Sequence, residues 1–312
     1  MAERDTSGSV VSVVLPTYNR AHTIDAVVES VLRQTYDRFE LLVVDDGSTD
    51  DTPAVVEDFD DRRIRYVRFR RNRGANVARN AGIRHADGDF LAFVDSDDRW
   101  HPEKLERQVR AMRNASDRTG VVYTGYWLEY PSGRQYGPDP DRDAHEGSIH
   151  EELLKGNGRF IPTSTALVRR ACFEEVGLFD EGLPRQQDWE MWLRISQQFE
   201  FGHDPEPLVV KSMDHDEVSI SSDEEAQIDA IEHVLEKHAE KFRSRSELLS
   251  RHQWQLGQTC LLNGQPRRGR AELLAACKRN PRLLYLLGFG VSILGPRAYG
   301  FAFRALEKLP ID

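Results

Sequence analysis

The sequence predicts an α/β protein: a mostly parallel, Rossmann-like sheet flanked by helices, with an all-helical extension at its C-terminal end. Three observations predict it. Short apolar runs alternate with amphipathic helical stretches from Val10 to about Val94. Several of those runs end abruptly in polar or acidic clusters, as strands do at the ligand-binding rim of an open α/β sheet. From about Asp223 the strand pattern gives way to helical periodicity, which sets expected domains of 1–222 and 223–312.

Val10 to Leu15 reads as a buried strand stopped by Pro16-Thr17-Tyr18-Asn19. Ile24, Val27, Val28, Val31 and Leu32 share one face of the next helix. Phe39 to Val44 is a second buried strand, ending in Asp45-Asp46-Gly-Ser-Thr-Asp50. Thr52-Pro53 opens a helix, and Ile64 to Phe69 alternates apolar residues with arginine like a strand nearer an edge. Asn72 to Gly82 leads into a helix, and Phe90 to Val94 forms a strand that stops at Asp95, Asp97 and Asp98.

Three carboxylates at the end of a buried strand repel one another unless a positive charge sits among them. A divalent cation would neutralise them and hold a diphosphate. The other reading is a solvated turn before the helix at His101-Pro102. Further on, a helix holds Leu105, Val109 and Met112, Val121 to Leu128 is a strand, and Pro131 to Glu146 is a polar loop. Ile161 to Val168 reads as a strand with a short helix after it. Gln187 starts a helix with Asp188 at its cap, and Leu208 to Met213 is a last strand before Asp214-His215-Asp216.

The bulk numbers exclude several classes. A net charge of −10 and a pI near 5.6 argue against nucleic-acid binding. Abundant aspartate with few lysines resembles proteins of salt-loving microbes. Three scattered cysteines without a C-x-x-C fit a reducing compartment. Met1 to Ser9 has no apolar h-region and no apolar run is long enough to span a bilayer, so a cytoplasmic chain is expected. Neither G-x-G-x-x-G nor a P-loop motif follows the first strand.

The ordered set Val13-Val-Leu-Pro-Thr-Tyr-Asn-Arg20, Leu42-Val-Val-Asp-Asp-Gly-Ser-Thr-Asp50, Asn72-x-Gly74 with Ala78-Arg-Asn-Ala-Gly82, Phe93-Val-Asp-Ser-Asp-Asp98, Gly177-Leu-Phe-Asp-Glu181 and Gln187-Asp-Trp-Glu-Met-Trp-Leu-Arg194 resembles the inverting family 2 glycosyltransferases of GT-A fold. The likeness covers roughly Val10 to Ser222; the family's usual Glu before the base-position Asp is Gln187 here. It implies that Pro16, Thr17 and Tyr18 line the nucleotide pocket, that Asp46 accepts a hydrogen bond from the base with Asp45 in support, and that Arg79 lies near the nucleotide. It implies a D-x-D of Asp95 and Asp97 with Asp98 beside it. Asp97 would ligate Mn²⁺ or Mg²⁺, and Asp188 would be the general base. His215 is either a metal or diphosphate ligand or an exposed loop histidine.

The implied partners are a nucleotide-diphospho-sugar, a UDP-sugar above others, and a glycan or a polyprenyl- or dolichyl-phosphate-linked acceptor. Protein glycosylation or surface polysaccharide assembly would be the setting. The rival reading is a non-catalytic sugar-nucleotide-binding or scaffold protein. Glycoside hydrolases also use paired carboxylates, but the parallel-sheet motifs and the lack of a hydrolase signature argue against them. Nucleotidyltransferases share an α/β plan but need a basic, Gly-rich loop after the first strand, which Pro16-Thr-Tyr-Asn19 is not. In the extension, Gly257 to Asn280 resembles one tetratricopeptide-like hairpin. The apolar run Leu283 to Leu294 lies among arginines and lysines. It reads either as a peripheral contact with an anionic membrane at the cytoplasmic face or as a helix packed on the rest of the protein.

Overall fold

In the computed structural model, residues 10–138, 144–156, 161–213, 224–296 and 298–301 are described. The chain divides into two compact units, Met1–Glu217 and Val218–Asp312. Among the described residues the first unit is built on one nine-stranded sheet. Its leading half contains β1 (Val11–Thr17), α1 (Ile24–Leu32), β2 (Phe39–Asp45), α2 (Thr52–Glu57), β3 (Ile64–Arg68), α3 (Ala75–His85) and β4 (Phe90–Phe93). These four strands are parallel, in the order β3-β2-β1-β4. β3 is the edge strand, as its alternating arginines suggested.

Beyond β4 the sheet becomes mixed. The later elements are β5 (Asp98–Trp100), α4 (Lys104–Asn114), β6 (Thr119–Tyr130), β7 (Gly133–Gly137), α5 (His150–Lys155), β8 (Ala166–Arg169), α6 (Arg170–Val176), α7 (Gln187–Ile195) and β9 (Glu200–Ser212). The order continues β4-β8-β6-β9-β5, with β7 paired to β6. β8 runs antiparallel to β4 and β6, and β9 runs parallel to β6.

Four local expectations change. β1 runs through Pro16 and Thr17, which pair with Val44 and Asp45. Pairing with β4 ends at Val14, so the missing proline N–H costs that ladder nothing. The segment from Ile161 is strand only from Ala166, because Thr163–Thr165 form a 3-10 turn. The polar loop after Tyr130 contains β7. The last strand begins at Glu200, eight residues before Leu208.

Apolar residues of β1, β2, β4, α1 and α4 make the main core, with Leu15, Leu41 and Leu105 fully buried. α3 lies unusually close to β1: a Cβ at Gly82 would fall 2.3 Å from Val14 Cγ1, so only glycine fits there.

The second unit contains α8 (Glu224–Lys237), α9 (Ala239–Arg243), α10 (Ser246–Leu262), α11 (Pro266–Arg279) and α12 (Leu283–Ile293). α10 and α11 meet at small residues, where a Cβ on Gly269 would lie 2.7 Å from the Gly257 carbonyl oxygen. Trp254 stacks on Tyr285 of α12 with ring centroids 4.7 Å apart. No helix among the described residues is long and apolar enough to cross a membrane.

Candidate active site

The carboxyl ends of β1 and β2 are laced together by side chains of the loops that follow them. The Asn19 N–H donates to Ser48 Oγ at 2.9 Å, and Asn19 Oδ1 accepts from the Thr49 N–H at 2.8 Å. Asn19 holds a left-handed φ of 51°, which asparagine tolerates better than most residues. Asp45 is fully buried: Oδ1 accepts from the Ser48 N–H at 2.7 Å and Oδ2 from the Tyr66 hydroxyl at 2.6 Å. Asp46 accepts the N–H groups of Arg73 and Gly74, each at 2.7 Å, and so fixes the chain entering α3. Burial raises its carboxyl, with those two hydrogen bonds and the Arg73 charge opposing. Thr17 is buried, and its hydroxyl has no hydrogen-bond partner among the described residues. Pro16 is buried beside it, and Tyr18 stands exposed at the rim.

The acidic cluster after β4 is interleaved with cations from two other elements. Arg79 of α3 donates to Asp95 Oδ1 at 2.8 Å, and its buried Nε is unpartnered among the described residues. Lys211 of β9 donates to Asp98 Oδ2 at 2.7 Å and stands 3.6 Å from Asp95 Oδ2. The cause is topological: Asp98 opens β5, which pairs antiparallel with β9 in a register that sets Asp98 opposite Lys211. Burial would raise Asp95, but the charges of Arg79 and Lys211 outweigh it and hold the carboxyl below its usual range. Burial pushes Asp98 up to about 7, with Lys211 opposing and Asp95 and Asp97 adding to the rise. Burial would lower Lys211, but Asp98 and Asp95 hold it above its usual value. Asp97 is exposed and takes no hydrogen bond from another described residue. Desolvation and then the charge of Asp95 raise it.

Asp188 lies in the first turn of α7. The helix cap is Gln186, at a left-handed φ of 59°, so the capping role expected of Asp188 falls to another residue. Burial pushes its carboxyl up to about 6. The Trp189 N–H bond and the charges of Arg79 and Lys211 oppose that rise, and Asp95 adds to it. Two clamps set α7 against the rest of the site. Asn80 of α3 donates to the Phe179 carbonyl at 2.9 Å and accepts the Phe179 N–H at 2.9 Å. From the other side, Arg194 donates to the carbonyls of Val176 at 2.6 Å and Leu178 at 2.8 Å, and is held by buried Glu190. The motifs spanning Ala78–Gly82, Gly177–Glu181 and Gln187–Arg194 are therefore one structural unit.

The structure thus brings Arg79, Asp95, Asp97, Asp98 and Asp188 into one charged neighbourhood and sets Thr17, Tyr18, Asp45 and Asp46 along the same rim. His215 lies outside the described residues. Among the described residues no three His, Cys, Asp or Glu side chains form a group able to hold a metal. Lys211 escaped the sequence reading. Its signal was one lysine directly after the apolar run Leu208 to Val210, within the stretch read as the last strand, where a buried cation needs an anion.

Residues 12–177 match the family model described as glycosyl transferase family 2. Over 189 residues the chain is 48% identical to the UDP-Glc:alpha-D-GlcNAc-diphosphoundecaprenol beta-1,3-glucosyltransferase of Escherichia coli; the match covers 60% of this chain and 69% of that protein. It spans less of some other relatives: 67% of an uncharacterized glycosyltransferase of Rickettsia typhi, but 35% of those of Rickettsia felis and Rickettsia conorii. Two solved structures share the fold. S. aureus TarS in complex with UDP-GlcNAc superposes with a TM-score of 0.61 at 17% identity, covering 88% of this chain and 92% of that one. The mannosyltransferase of Pyrobaculum calidifontis, in complex with GDP-Man and Mn²⁺, gives 0.56 at 22% identity, covering 94% and 82%.

Proposed function

The chain belongs to glycosyltransferase family 2, and from that premise we propose that it moves a sugar from a nucleotide-diphospho-sugar, a UDP-sugar above others, to a hydroxyl of a glycan or lipid-linked glycan, inverting the anomeric centre. The observation that carries this reading is Asp188. A carboxylate raised to about 6 is ionised at neutral pH yet basic enough to take a proton, and it shares its electrostatic surroundings with Arg79, Asp95 and Lys211. It removes the acceptor's hydroxyl proton as that oxygen bonds to the anomeric carbon. The bond from that carbon to the diphosphate oxygen breaks in the same displacement, and the nucleoside diphosphate leaves with the electron pair. No enzyme nucleophile is needed.

The buried Thr17 hydroxyl and Arg79 Nε, each without a partner among the described residues, fit donor binding. A polar atom left unmatched in a folded protein costs ~1–3 kcal/mol, which a ligand can recover. Asp46 and its supporting Asp45 are proposed to border the base, Pro16 and Tyr18 to flank it, and Arg79 to lie near the diphosphate. The acidic cluster is not a three-carboxylate metal group, but its donors are the carboxylate oxygens a hard divalent cation takes, and Asp97 is exposed beside two charges already balanced by Arg79 and Lys211. Asp97, with Asp95 beside it, would hold Mn²⁺ or Mg²⁺, whose chemistry is to neutralise the leaving diphosphate.

The E. coli relative acts on a diphosphoundecaprenol-linked sugar, which supports a lipid-linked acceptor here and a peripheral position at the cytoplasmic membrane face. The catalytic domain is proposed to be 1–222 and the extension 223–312. The test is release of nucleoside diphosphate from a panel of UDP-, GDP- and dTDP-sugars with Mn²⁺, Mg²⁺ or EDTA, for wild type and Asp188→Asn. Metal-dependent release from one donor is expected, accelerated by acceptor only in the wild type. Failure of every sugar nucleotide to bind, at low and at molar salt, would promote the scaffold reading.

A further inference from the structure

α12 is apolar on every side, but its two faces meet different surroundings. Tyr285, Gly288 and Ser292 are buried. Tyr285 stacks on Trp254, and Gly288 approaches that indole so closely that a Cβ would clash with it. The opposite stripe is uncovered: Leu283, Leu286, Leu287, Ile293 and Leu294 are 49–77% exposed. Leu283 lies three and four residues before Leu286 and Leu287, and Ile293 and Leu294 lie seven residues beyond those two, so all five fall on one face with the exposed Gly290 between the two groups. Scattered exposed leucines are ordinary, but five large apolar side chains on one face of a helix mark a contact surface.

The charge around this stripe says what it fits. No Asp or Glu occurs between Glu272 and Glu307, in a chain with 52 of them in 312 residues. From Gln265 to the end, nine Lys and Arg face three Asp and Glu, although the whole chain carries −10. Lys278 and Arg279, in the last turn of α11, are exposed immediately before the stripe, as is Arg282 at the cap of α12; Arg279 also donates to Gln253 and Arg282 is paired with Glu247. A second copy would bring the same positive charge to a symmetric contact, and the two would repel. An anionic lipid surface supplies both complements: acyl chains for the leucines and headgroup phosphates for the cations. At 11 residues α12 is too short to span a bilayer and suits a position in its interface.

We propose that the α12 stripe, with the cations that precede it, docks the protein on an anionic lipid bilayer. The proposal deepens the lipid-linked acceptor reading and rests on it for its purpose, since docking would bring the active site to an acceptor confined to the membrane. The test is co-flotation of the full-length protein with phosphatidylcholine vesicles, with and without 30% phosphatidylglycerol. Wild type is compared with the double variants Leu286→Glu/Leu287→Glu and Lys278→Glu/Arg279→Glu. Circular dichroism and elution volume check the fold of each.

Flotation with anionic vesicles, weakened at least tenfold in both folded variants and in molar salt, is the expected result. The proposal is overturned if the wild type stays with the soluble fraction at low salt, or if either folded variant floats as well as the wild type. It is also overturned if the wild type is a dimer that the leucine variant splits. Release of nucleoside diphosphate, measured on the same samples without vesicles, should be equal in all three proteins. A wild type that releases nucleoside diphosphate but does not float therefore condemns the docking surface alone. Absence of any release, with flotation intact, condemns the transferase reading alone.

Discussion

Lys211 shows what one side chain does to a cluster of carboxylates. Of the three acids after β4, Asp95 is neutralised chiefly by Arg79, Asp98 chiefly by Lys211, and Asp97 is left for something else. Truncating Lys211 strands a buried Asp98, and removing one partner of a buried pair costs on the order of 3–5 kcal/mol. Lys211→Met is therefore expected to lower the melting temperature and transfer rate together, and to loosen Mn²⁺ held with UDP, read by electron paramagnetic resonance. Lys211→Arg should restore much of each. Unchanged Mn²⁺ affinity in the Met variant would refute this positioning role. Asp188 has the opposite balance, because its raised carboxyl favours the protonated folded state. Stability from this group is present below the unfolded carboxyl range and is lost as pH rises through about 6. Activity should move the other way, with kcat/KM climbing through about pH 6 as the base ionises. Asp188→Asn should accordingly melt at the same or a higher temperature near pH 7 while losing transfer. A variant that melts lower and keeps the pH profile would contradict the base assignment. Asp188, Asp95 and Asp97 could be singled out in the sequence by their places in ordered motifs. The sequence could not supply Lys211, whose role depends on a pairing between residues far apart in the chain.

At the scale of elements, local patterns were legible and long-range pairings were not. The parallel half of the sheet follows from apolar runs separated by amphipathic helices. β5 is only three residues, Asp98-Arg-Trp100, and has no pattern of its own; β9 recruits it. β7 was hidden for the same reason, since Gly133-Arg-Gln-Tyr-Gly137 is polar and exists by pairing with β6. The motif of α3 was readable as a string, but its purpose, holding the Gly177–Glu181 turn, required the structure. Asn80→Ala removes both bonds to Phe179 and should slow transfer about tenfold or more while leaving UDP affinity within about twofold, a split that calorimetry and steady-state kinetics resolve. Equal losses in both would show that Asn80 serves the fold alone. α4 holds a different buried cation. Lys104 is fully buried, donates to Gln108 Oε1 at 2.7 Å and sits 3.9 Å from the Trp100 ring centre, and burial drives its ammonium well below the usual range. The unfolded chain then binds the extra proton, so stability should rise with pH between the lowered folded value and the ordinary lysine range. Lys104→Met should flatten that rise and raise the melting temperature near neutrality; a lower one would show that the Gln108 bond outweighs desolvation.

At the scale of the molecule, the two units are distinct in both core and charge. The main core of the first runs from Val11 to Val209, and the aromatic cluster of the second from Trp254 to Tyr299, with no residue in common. A chain with separate cores can unfold in separate steps, so calorimetry of the full-length protein should show two transitions. A chain ending at Ser222 should keep one of them, together with its donor chemistry. Removing the second unit also removes the basic segment that partly offsets an acidic chain. The shortened protein therefore carries a denser excess of carboxylates, which repel one another most strongly when folding brings them together. Screening relieves such repulsion: the Debye length falls from ~10 Å at 0.1 M salt to ~3 Å at 1 M. The melting temperature of the shortened chain should accordingly rise more between 0.1 M and 1 M NaCl than the matching transition of the intact protein. A shortened chain that melts without cooperativity at any salt would mean that its core is incomplete without the helices. One that melts cooperatively with no greater response to salt would mean that its carboxylates are already balanced within the first unit, as Asp95 and Asp98 are by Arg79 and Lys211.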